Sequence, residues 1–140
     1  VKDNYKNLKL LADSWRMAQE IDKAIPVLEQ ASKLSKDGKA YVLLGNLYLF
    51  EDKLDLAVSA IKKGLKKGDI NNTSQVHLTL GQVYFELQKF DEAKKEFRIA
   101  ARDESKSVKT TANNWIKYTE NEEIRVKSLE LRREFIEQNS

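Results

Sequence analysis

The 140-residue chain has no cysteine, one proline, five glycines and one histidine. Without cysteine there is no disulfide, no thiolate nucleophile and no sulfur-ligated metal. That absence suits a reducing cytosol and an oxidising periplasm equally. So few prolines and glycines leave few turn signals, which favours helices over many short strands. No apolar run approaches the roughly 18 residues of a membrane span. The chain opens "VKDNYKNL", with neither Met nor an apolar signal region, and reads as a trimmed start with any targeting segment upstream. What is present is 41% hydrophobic and 34% charged residue, enough to bury a core and too apolar for a disordered chain. A net charge of +3, with both signs interspersed, is too small to indicate nucleic acid or membrane.

The apolar residues repeat. Residues 10–31, 43–64 and 79–100 align without a gap. Ala12, Gly45 and Gly81 form a small column, and Trp15, Tyr48 and Tyr84 an aromatic column three residues on. Ala24, Ala57 and Ala93 follow, then Leu28, Ile61 and Phe97, then Ala31, Gly64 and Ala100. Successive units are offset by 33 and then 36 residues, the excess lying in the loop-like "GDINNTSQ". Two antiparallel helices approach closely only where facing residues are small, and large neighbours fill the remaining space. A mid-helix glycine costs about 1 kcal/mol relative to alanine, and close packing of a partner helix is the usual compensation. Each unit therefore reads as a helical hairpin: 3–17 with 20–34, 38–50 with 54–67, and 74–87 with 90–103. Gly68 is placed to end the fourth helix, Ser74 to cap the fifth. A seventh helix runs to about Tyr118 and an eighth starts near Glu120.

The columns resemble the tetratricopeptide repeat, whose Leu-Gly, Tyr, Ala and Phe positions recur at a period of about 34 residues. The first unit departs with Ala12 for glycine and Trp15 for tyrosine; Asp69 and Ser105 stand where the family often has a closing proline. The resemblance implies an all-α, right-handed α-α superhelix in one domain over 1–140. It would comprise hairpins at about 5–37, 38–71 and 74–105 and a C-terminal helical pair at about 106–138.

Chemistry finds little support. Thr73 and Gly81 stand four residues from His77 and neither can join it as a metal ligand, so the histidine reads as a packed side chain. Asp91–Glu92 and Glu122–Glu123 are adjacent pairs that diverge on a helix and suit its first turn. There is no Gly-x-Ser-x-Gly elbow and no glycine-rich phosphate loop. The chain is read as non-catalytic, with no cofactor and no metal. Lys62, Lys63, Lys66 and Lys67 read as a solvated face of an outer helix rather than a nucleic-acid patch.

In the family, the first helix of each hairpin lines a concave groove that receives a peptide or a helix. The residues expected there are Lys9 and Asp13; Lys39, Val42, Asn46 and Leu49; and Leu78, Gln82 and Phe85. An exposed apolar strip with a polar rim is the signature of a partner-binding surface; burial under the C-terminal helices is the competing reading for the apolar members. One subtype clamps a chaperone's terminal carboxylate. Lys9 matches its first lysine, but Asp13, Leu43, Gln75 and Thr79 do not fit the other four columns. On the last helix Ile124, Leu131 and Phe135 form a stripe that reads as a cap docked on the third unit.

Three segments, "SWRMAQEIDKAIPVLEQAS", "KKGDINNTSQVHLTLGQ" and "AARDESKSVKTTANNWIKYTENE", are similar to tetratricopeptide proteins encoded beside TonB-type energy-transduction systems in γ-proteobacteria. That resemblance implies a periplasmic protein, with a cytoplasmic one as the alternative, and partners among TonB, ExbB and ExbD components. A structural role, self-association through terminal helices, is the rival from another class.

Overall fold

The computed structural model describes residues 2–140, with side chains from Asn4 onward. Seven helices and no strand occur among the described residues: α1 Lys2–Met17, α2 Ile21–Leu34, α3 Lys39–Phe50, α4 Leu54–Lys67, α5 Thr73–Glu86, α6 Phe90–Ala100 and α7 Lys106–Gln138. The fold class is an all-α helical repeat. The chain divides into two compact units, Val1–Val76 and His77–Ser140.

In the first unit α1 packs on α2, α2 on α3 and α3 on α4. Its core is built from the repeat columns: Ala12, Ala24, Leu28, Ala31 and Ala57 are completely buried. The small column works as its spacing requires. A Cβ on Gly45 would lie 2.5 Å from Ile61 Cγ1, so only glycine lets α3 seat against α4 there. A closer approach joins the α2–α3 connection to the end of α4. Gly38 N–H donates to Gly68 O at 2.8 Å, and a Cβ on Gly38 would come within 1.9 Å of Gly64 O. Lys67 Nζ then donates to the carbonyls of Ser32 (2.9 Å) and Ser35 (2.5 Å), capping α2 from α4.

The three hairpin turns are equivalent. Gln19, Asp52 and Gln88 stand seven residues after the small column, and each adopts a left-handed conformation with φ of 60°, 57° and 58°. In each, the next residue donates to the carbonyl of the aromatic column (Glu20 to Trp15, Lys53 to Tyr48, Lys89 to Tyr84) at 2.8–2.9 Å. The left-handed residue itself donates three positions back, to Arg16, Leu49 and Phe85. This double closure is the Schellman ending, made here without glycine. Gly68 ends α4 as expected, at φ 79°.

In the second unit Phe97 of α6 is completely buried, with its ring edge where a Cβ on Gly81 would be, 2.5 Å away. Its other side stacks on Trp115 of α7 at 5.4 Å. Three expectations need correction. The helix expected to 103 ends at Ala100, because Arg102 and Asp103 donate to Ile99 and Ala100 in tight i→i−3 bonds and Asp103 then accepts from Ser105 N–H. Ser74 is not the cap of α5, which begins at Thr73 after Asn72 turns the chain at φ 57°. The C-terminal helical pair is one helix of 33 residues. Thr119, at the expected break, lies inside it: its hydroxyl donates to Trp115 O at 2.7 Å and its side chain is buried, so nothing ends the backbone ladder.

Candidate functional site

The first unit carries a cleft of ≈ 890 Å³ lined from α1 and its turn by Lys9, Asp13, Arg16 and Met17, and from α3 by Leu43, Asn46 and Phe50. On α1 the spacing of four and then three residues puts Lys9, Asp13 and Arg16 on one stripe. Lys9 Nζ donates to both Asp13 carboxylate oxygens at 2.9 and 3.1 Å, and Arg16 Nη1 donates to Asp13 Oδ1 at 2.9 Å. Burial pulls the Asp13 carboxyl upward, but the hydrogen bonds and charges of Lys9 and Arg16 outweigh it and hold it below the usual carboxylate range. The triad is thus a fixed array with one excess positive charge. Opposite it, Asn46 exposes an amide with both donor and acceptor capacity. Met17 and Phe50 are 86% and 77% exposed, an unusual exposure for two large apolar side chains facing one depression.

Of the expected groove residues, the structure therefore brings Lys9, Asp13 and Asn46 together. Lys39 is exposed at the start of α3, its N–H held by Asp37 Oδ1 at 3.0 Å, and does not line the cleft. Val42 is half-buried on the side facing α4, its Cγ2 at 2.9 Å from where a Gly64 Cβ would be. Leu49 is half-buried against the core. The open face of α3 is the 43–46–50 stripe, rotated from the expected 39–42–46–49 stripe by part of a turn, which is how Phe50 was missed. In the second unit Leu78 is 2% exposed, so it is core and not a contact residue, and Leu80 and Val83 are buried with it. Phe85 is also withdrawn, into an aromatic cluster with Phe90 (5.9 Å), Trp115 (5.6 Å) and Tyr118 (5.2 Å). Gln82 is half-buried.

Polar pairs elsewhere are structural. His77 Nδ1 and Glu96 Oε2, 2.6 Å apart, tie α5 to α6. No group of His, Asp and Glu able to hold a metal occurs among the described residues. Within the lysine group, Lys67 is committed to the α2 carbonyls, and Lys63 and Lys67 lie 6.0 and 5.3 Å from the Tyr41 ring centroid. No described helix is long and apolar enough to cross a membrane.

Tyr48 donates its hydroxyl to Glu29 Oε1 across α2 and α3. Burial first, then that hydrogen bond and the carboxylate charge, push its phenol from 10.0 up to about 12. Below pH 10 folded and unfolded chains both keep the proton and the full stabilisation is present. Between pH 10 and about 12 only the unfolded chain loses it, so stability falls, by on the order of 2 kcal/mol across the window. Urea midpoints at pH 9 and pH 11 should diverge more for the parent than for Tyr48→Phe; equal alkaline losses in the two would show that the bond carries no such linkage.

The tetratricopeptide repeat pattern matches residues 38–66 and 74–101, the second and third hairpins. The chain carries tetratricopeptide repeats. Protein CTR9 homolog of Arabidopsis thaliana is 30% identical over 105 residues, 72% of this chain and 10% of that protein, so the chain spans about a tenth of this relative. Among solved structures, Pseudomonas aeruginosa PcrH in complex with the chaperone binding region of PopD superposes with a TM-score of 0.71 at 16% identity. That match covers 87% of this chain and 95% of PcrH. Yersinia enterocolitica SycD in complex with a peptide of the translocator YopD gives 0.70 at 17% identity, over 86% of this chain and 95% of SycD. At these identities the likeness is one of fold. Tetratricopeptide-repeat proteins are typically non-catalytic interaction modules.

Proposed function

We propose that the chain binds a peptide segment of a partner protein in the α1–α3 cleft of its first unit. The observation that carries this reading is the juxtaposition of Met17 and Phe50, both largely exposed, with the Lys9–Asp13–Arg16 array and Asn46 around one depression. The segment best suited to it has an apolar side chain for Leu43, Met17 and Phe50. Asn46 would bond its backbone, and an acidic group beside the apolar anchor would meet the excess positive charge. Proteins of the same fold solved with segments of PopD and YopD support the mode, not the identity, of binding.

The finer reading, a partner among TonB, ExbB or ExbD components of a periplasmic transport system, rests on the three segments quoted above. Fractionating cells that carry the native protein separates the periplasmic from the cytoplasmic reading.

The cleft is tested by selecting short peptides from a displayed random library on the immobilised chain, then measuring one enriched peptide against Phe50→Glu and Asn46→Ala. Both side chains are exposed, so both variants should fold. A loss of at least about tenfold is expected for Phe50→Glu, the change that puts a charge at an apolar anchor. Failure to enrich any peptide, or an affinity unchanged from the parent in both variants, would sink the proposal.

A further inference from the structure

We infer that the C-terminal half of α7 pairs, antiparallel, with the same segment of a second copy of this chain. The expected docking of its stripe on the third hairpin does not occur. α7 lies on α6 through the face that carries Ala112 and Thr119, both buried, and Val126, half-buried. Ile124, Leu131 and Phe135 lie on the opposite face, 64%, 66% and 66% exposed. Beyond Val126 every residue is exposed, including Glu130, Arg133 and Glu137, which continue the docked face. Apolar residues recurring at seven and four positions form the seam of a two-helix coil, with Asn121, Ser128 and Gln138 in its remaining positions and Leu129 and Ile136, also exposed, one flank over.

The flanking charges choose the occupant and the register. Lys127 and Glu134 lie on one side of the seam, Arg125 and Arg132 on the other. With two copies antiparallel and Ile124 opposite Phe135, each Lys127 faces a Glu134. The Lys127 side chain is 70% exposed, reaches Glu123 at 3.6 Å and can turn to a partner. Arg125 then faces Arg132, but its guanidinium is already forked onto Glu122, with Nε 3.1 Å from both carboxylate oxygens. Sliding one heptad in one direction sets Glu134 against Glu134 and Arg132 against Arg132. Sliding the other way sets Lys127 against Lys127 and Arg125 against Arg125. Opposed helix dipoles favour the antiparallel arrangement further. An overlap of residues 121–138 is about 27 Å long. It would bury on the order of 1,000 Å², the low end for specific interfaces, so a reversible dimer with a dissociation constant of roughly tens of micromolar is expected. This inference is independent of the cleft on the first unit.

Sedimentation velocity of the 140-residue chain over about 5–500 µM tests it. The parent should pass from monomer to dimer, and Leu131→Glu/Phe135→Glu should stay monomeric with unchanged helical circular dichroism, since neither side chain packs on the body. Lys127→Glu and Glu134→Lys should each weaken the dimer, and the double variant should restore it. A parent that is monomeric at the highest concentration overturns the proposal, as does a dimer indifferent to Leu131→Glu/Phe135→Glu. A double charge swap that fails to restore pairing overturns the antiparallel register.

Discussion

Replacing Gly38 by alanine is expected to destabilise the first unit by about 3 kcal/mol or more, among the largest effects of any single methyl group in this chain. The added Cβ would sit 1.9 Å from Gly64 O and 2.6 Å from Gly64 C. Both are backbone atoms inside α4, so no rotamer change relieves the clash. Moving the α2–α3 connection away would stretch the Gly38–Gly68 hydrogen bond and draw the α2 carbonyls off Lys67. Gly68→Ala is the matched control. There the Cβ meets open space but φ is +79°, so the cost is conformational, about 1 kcal/mol. Urea unfolding followed by Trp15 fluorescence in a Trp115→Phe background reads the first unit alone. If Gly38→Ala costs no more than Gly68→Ala, the two backbones are not in the contact described.

Phe97→Ala is expected to cost about 3–5 kcal/mol, because it empties a fully buried site between Gly81 and Trp115. The informative companion is Gly81→Ala. Its Cβ would meet the Phe97 ring at 2.5, 2.7 and 2.9 Å, and the ring cannot retreat from Trp115. Overpacking of about 1–3 kcal/mol then outweighs the roughly 1 kcal/mol gained in helix propensity. The first hairpin carries Ala12 and Leu28 in these two columns, both completely buried. Gly81→Ala/Phe97→Leu should therefore recover most of the stability that Gly81→Ala loses, giving a favourable coupling energy in a double-mutant cycle. Additive losses would mean that the two columns do not form one packing unit.

The hairpins, their helix bounds to within a residue except at the end of α6, and the small-against-large columns could be read from residue order alone. Each depends on side chains a few positions apart, or on the same positions recurring in the next unit, and the local spacing of a helix places them. The turns were located the same way, although Gln19, Asp52 and Gln88 show no glycine to mark a left-handed residue; the column, not the residue type, identifies them. The continuity of α7 was misread because Thr119 can either cap a new helix or donate back within an old one, and only its burial decides which. The groove residues failed for a related reason. Lys9, Asp13 and Asn46 converge on the cleft, but Leu78 and Phe85 carry the same apolar signal whether they face solvent or lie under other side chains. Which happens is set by residues far along the chain: Trp115 and Tyr118 cover Phe85, Gly64 admits Gly38, and Lys67 closes α2. Helical periodicity determined which residues share a face. Only the packing of distant segments, through close approach and desolvation, decided which faces are left open to a partner.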